Sequence, residues 1–61
     1  MASLTTKELT ALEDQISAEL TMVKKAQAMA GMVTTPQIQQ SLNSFAQKHQ
    51  QHADTLMTFL Q

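Results

Sequence analysis

The chain of 61 residues contains no cysteine, tryptophan or tyrosine, and only one glycine, one proline and two phenylalanines. Without cysteine there is no disulfide, no thiolate zinc site and no cysteine nucleophile. A chain this short buries little surface alone, so the supports left to it are self-association or a metal site of oxygen and nitrogen donors. An excess of one charge is also missing, since four basic and five acidic residues give a net charge of -1. The lysines, Lys7, Lys24, Lys25 and Lys48, form no stripe, and neither nucleic acid nor an anionic membrane is an expected partner. Long apolar runs are lacking too. The opening MASLTTKELT has neither the basic start nor the apolar run of a signal peptide, and nothing approaches a membrane span, which makes the cytoplasm the expected location.

What is present favours helix: Ala, Leu, Met and Gln recur along the chain, with Glu at three positions of its first half. The only punctuation is GMVTTP, Gly31 to Pro36, which divides the chain into two nearly equal parts. Gly31 is suited to closing a helix in the left-handed conformation, and Thr35 followed by Pro36 is a cap and first-turn signature for the next. Near the start, Thr5 and Glu8 form a capping-box pattern, with Leu4 and Leu9 spaced as a hydrophobic staple. The expectation is an all-α fold in which residues 1–61 make a single antiparallel helical hairpin, with helix 1 about 6–30, a turn at 31–35 and helix 2 about 36–60.

In helix 1, Leu9, Leu12, Ile16, Val23, Ala26 and Ala30 follow steps of three and four, and Glu19 occupies the gap in that series. In helix 2 the series is Ile38, Leu42, Phe45, His49, His52, Leu56 and Phe59. Each stripe stays within an arc of about 100°, the packing face of an amphipathic helix. Leu20, Met22, Met29, Ala46, Ala53, Met57 and Leu60 widen or flank the stripes beyond what one partner helix covers. Dimerisation into a four-helix bundle is therefore expected.

Three polar residues on these apolar stripes are the candidate site. A turn centred near residue 33 makes facing residues sum to about 66, which brings Glu19 level with Ala46 to His49 and sets His52 one turn further along. An inward carboxylate must be paired, protonated or bound to a cation. Two imidazoles at i and i+3 plus a carboxylate from the neighbouring helix form a three-ligand set suited to zinc, iron or manganese. The competing reading is a hydrogen-bonded core network, doubled in a symmetric dimer. No phosphate loop, dinucleotide-binding glycine set or zincin motif is present, and Ser44, His49 and Asp54 lack the context of a nucleophile turn. No catalytic residue is assigned. The methionines read as bundle packing, and Gln37, Gln39, Gln40, Gln47, Gln50 and Gln51 as the outer face of helix 2, compatible with a partner.

The segments LTTKELTALEDQISAELTMVKKAQAMA and TTPQIQQSLNSFAQKHQQHADTL together resemble the small ferritin-like proteins of endospore-forming bacteria related to the spore coat protein F family. The resemblance runs from about Leu4 to Leu60 and is carried most specifically by Glu19 ahead of Val23, Lys24 and Lys25, and by the run KHQQH holding His49 and His52. It implies half of a ferritin-like bundle, a place in the spore coat or its assembly, and coat proteins as partners. The wider ferritin-like superfamily carries iron or manganese on a Glu of one helix and an E-x-x-H pair of the next. Glu19 matches the first and His52 the histidine of the pair, whereas His49 stands where the Glu of the pair would be. The resemblance thus implies a structural or interaction role over an oxidase centre. A metal-binding bundle and a small helical adaptor are the alternatives.

Overall fold

A computed structural model describes residues 3–61, and among them there is no strand. Helix α1 runs Thr6–Met32, helix α2 runs Pro36–Met57, and a 3₁₀ turn follows at Thr58–Leu60. The two helices pack side by side as a hairpin measuring 46 × 16 × 11 Å. Among the described residues no helix is long and apolar enough to cross a membrane.

Local chemistry starts α1 as the sequence indicates. The Thr5 amide donates to Glu8 Oε1 at 2.9 Å and the Glu8 amide donates to Thr5 Oγ1 at 3.1 Å, which completes the capping box. The acidic Glu8 in the first turn also complements the positive end of the helix dipole. At α2, Pro36 occupies the first turn as expected, but the Thr35 side chain makes no cap bond. Its backbone carbonyl accepts the amides of Ile38 and Gln39 instead, at 3.1 and 3.0 Å.

The turn differs from the expectation. Helix α1 continues through Gly31 to Met32, and no described glycine has a positive φ. The chain leaves the helix through the extended Val33, whose amide donates to Met29 O at 3.2 Å. One carbonyl left open at the helix end and one in the turn are met by a side chain. Gln39 Nε2 donates to Val33 O at 2.8 Å and Ala30 O at 3.3 Å, so a glutamine expected on the outer face ties the two helix ends together. The end of α2 also differs, because helical spacing to residue 60 gives way to the tighter turn after Met57.

The rotation of α2 is the main correction to the expected packing. Ile16, Val23, Ala26 and Ala30 of α1 are buried as their stripe requires, together with Glu19. From α2 the buried residues are Ala46 and Ala53, the latter fully enclosed, rather than the bulky members of the expected stripe. Ile38, Phe45 and Phe59 are 49%, 43% and 51% exposed. Alanines on the contact line let the helices approach closely, and Val23, Ala26 and Ala46 form the central cluster. Leu42, His49 and Leu56 belong to both the expected and observed faces and lie half-buried beside the alanines. The consequence is a narrow core and an uncovered apolar strip along α2.

Candidate metal centre

Glu19 lies midway between Leu12 and Ala26 in α1, seven residues from each, so heptad spacing puts it on the inner face. His49 stands midway between Leu42 and Leu56 at the same spacing in α2, and faces it. His52 is three residues further on, which turns it about 60° away from the contact line. The expected convergence is present: one ligand atom from each of Glu19, His49 and His52 lies within 4.8 Å of the others.

The three residues differ in exposure. The side chains of Glu19 and His49 are 11% and 20% exposed, whereas that of His52 is 60% exposed. His52 thus occupies the rim of the cluster and not the inward position expected of it, because α2 turns its alanines toward α1. Both imidazoles direct Nδ1 at the same carboxylate oxygen. His49 Nδ1 donates a hydrogen bond to Glu19 Oε1, and His52 Nδ1 is 3.4 Å from that oxygen.

Gln15 lies outside the apolar stripes, yet it completes the cluster. Its Nε2 donates to Glu19 Oε2 at 2.9 Å from one turn earlier on α1. The available signal was the i, i+4 spacing of a glutamine and a carboxylate on one helix. With Gln15 on one oxygen and the histidines on the other, the carboxylate has its orientation set from both sides. Among the described residues no buried side-chain nitrogen or oxygen lacks a partner.

These donors also set the acidity of Glu19. The His49 hydrogen bond, followed by that of Gln15, holds its carboxyl below the usual carboxylate range, although partial desolvation opposes them. A carboxylate kept ionised at neutral pH and turned toward two imidazoles is an effective anchor for either a proton-bearing ring or a cation. Phe45 packs against His49 with ring centroids 4.3 Å apart, and His49 and His52 stand edge to face at 5.6 Å. The aromatic series Phe45, His49, His52 therefore joins the polar cluster to the uncovered apolar strip.

The arrangement can act as a closed hydrogen-bonded layer or offer one oxygen and two nitrogen ligands to an ion. Either use requires the neighbouring helices to hold register, which the Gln39 tie and the enclosed alanines promote. No protein-family model matches the chain, and neither a characterised protein nor a solved structure is significantly similar to it.

Proposed function

We propose that this protein is a self-associating structural hairpin of the kind implied by its resemblance to spore-coat-associated ferritin-like proteins, two copies making a four-helix bundle. The observation that carries the pairing is the set of large apolar side chains that one hairpin leaves exposed, Ile38 at 49%, Phe45 at 43% and Phe59 at 51%. The whole elongated hairpin, polar and apolar atoms together, has an accessible surface of 4698 Å², against about 3,900 Å² for a compact monomer of its mass. Ile38, Phe45 and Phe59 supply apolar anchors to that surface, so association offers them the cover that α1 does not.

The coat assignment rests on the sequence segments that carry the resemblance, and the exposed Gln37, Gln40, Gln47 and Gln51 offer a weakly charged outer face to other coat proteins. Sedimentation equilibrium tests the pairing. A mass of two chains at micromolar concentration supports it, and a stable, fully helical monomer there removes it. The coat role is tested by looking for the protein in the extracted coat fraction of endospores from its source organism; enrichment supports the role and absence from spores contradicts it.

The convergence of Glu19, His49 and His52 favours a second reading, a metal-binding bundle using iron, manganese or zinc. Native mass spectrometry of the protein with each ion separates that reading from a purely hydrogen-bonded core.

A further inference from the structure

We infer that Glu19, His49 and His52 form a mononuclear site for a borderline divalent ion, zinc in preference to iron or manganese, with Gln15 positioning the carboxylate. This rests on the metal-binding reading and specifies its ion, its stoichiometry and the residue that orients it.

The donor set narrows the ion and the order of divalent affinities ranks what remains. Two imidazole nitrogens and one carboxylate oxygen hold zinc or ferrous iron, manganese favours oxygen-rich sites, and zinc stands above both iron and manganese in affinity for a given nitrogen and oxygen site. Zinc ligands at about 2.0 to 2.1 Å in tetrahedral geometry place the donor atoms about 3.3 Å from one another. The His52 Nδ1 to Glu19 Oε1 distance is 3.4 Å, already at that separation. The three ligand atoms lie within 4.8 Å of one another, so the His49 ring adjusts as an ion enters. That half-buried ring sits on α2 against the exposed Phe45, without a fully enclosed wall to hold it in place.

The same geometry fixes the count at one ion. A dinuclear centre needs carboxylates that bridge two ions, and Glu19 is the one carboxylate in the cluster. Its second oxygen is engaged by the Gln15 amide at 2.9 Å, which leaves Oε1 to face the histidines. Glu19 is therefore a monodentate ligand. Gln15 holds it in that orientation, as hydrogen-bond partners of metal ligands commonly do. For an ion to bind, each ring keeps its proton on Nε2 and presents the Nδ1 lone pair, so the ion replaces the hydrogen bonds to Oε1. With His52 at the exposed rim, the fourth position faces outward and takes water or an outside donor.

The test uses the full chain with zinc, manganese and ferrous iron offered separately and in competition under anaerobic conditions. Native mass spectrometry reads ions per chain, which makes the count independent of pairing, and titration against a chelator reads affinity. Cobalt serves as the spectroscopic substitute for zinc. The expected result is one zinc per chain, displacement of manganese and iron by zinc, and visible cobalt bands of a tetrahedral nitrogen and oxygen site. His49→Ala and His52→Ala are expected to lose stoichiometric uptake. Gln15→Ala, which alters an exposed position, is expected to retain the site with about 10-fold weaker affinity. Circular dichroism confirms that each variant remains helical, and uptake by Gln15→Ala keeps the test decisive if a histidine variant unfolds. Preference for manganese or iron, two ions per chain, or full affinity in Gln15→Ala overturns this inference while leaving metal binding standing. No uptake of any of the three ions overturns both.

Discussion

Replacing Gly31 with Ala gives opposite outcomes for the two ways this chain could turn its corner. If Gly31 closed α1 in a left-handed conformation, an alanine there would be strained and the hairpin would lose stability. In the structure Gly31 is helical, no described glycine has a positive φ, and a Cβ built on it meets nothing within 4 Å. Alanine then adds no clash and removes conformational freedom from the unfolded chain, a gain of about 0.5 to 1 kcal/mol for a glycine within a helix. The site is one residue from the helix end, which places the effect toward the lower part of that range. For a domain of this size, 1 kcal/mol corresponds to roughly 8 °C in melting temperature, so Gly31→Ala is expected to melt about 4 °C higher. Thermal unfolding followed by circular dichroism, at one fixed protein concentration so that association is held constant, measures it. A melting temperature lowered by several degrees would refute the helical assignment of Gly31 and restore the left-handed cap.

Three other perturbations test separate parts of the account. Gln39→Leu removes the side-chain bonds to Ala30 O and Val33 O; with two hydrogen bonds of about 1 kcal/mol each lost, it is expected to destabilise by about 1 to 2 kcal/mol in urea unfolding, and an unchanged midpoint would contradict the tie. Ile38→Ser removes an anchor that is 49% exposed in the hairpin. Completing its burial is worth about 1 kcal/mol per chain, hence about 30-fold in the dissociation constant of a symmetric pair, and an unaltered constant by sedimentation would remove Ile38 from the interface. Acid is expected to weaken the fold through Glu8 and Glu19, both held below the usual carboxylate range, Glu8 by the Thr5 backbone amide and Glu19 first by His49. Because the folded values are the lower ones, their stabilisation is complete above the unfolded value of about 4.3 and is lost as pH falls through the folded values. A urea midpoint that stays constant or rises between pH 5 and 3 would contradict this.

The helix starts and the level of the polar cluster were legible because they depend on spacing along the chain. Thr5 and Glu8 carry a capping box within four residues, and the distance from Glu19 to His49 is set by two helices and a short turn. The rotation of α2 was not legible in the same way. A stripe through Ile38, Phe45 and His52 and one through Ala46 and Ala53 have the same period, and apolar bulk favours the first. Close approach of two helices favours the second, a tertiary choice that periodicity does not encode. That choice moves His52 to the rim while keeping His49 inside. The turn departs from its local signal for a related reason. A glycine near a helix end usually signals a left-handed cap, but here the helix runs on through Gly31, and Gln39, three residues into the next helix, ties Ala30 O and Val33 O from across the corner.

Diffraction data collected at the zinc edge from crystals grown with zinc test the central claim most directly. The account expects an anomalous peak bounded by Glu19 Oε1, His49 Nδ1 and His52 Nδ1, one per chain, with a second hairpin laid over Ile38 and Phe45. Anomalous density confined to other surface groups, with the Glu19 cluster closed on itself and the α2 strip facing solvent, would contradict it.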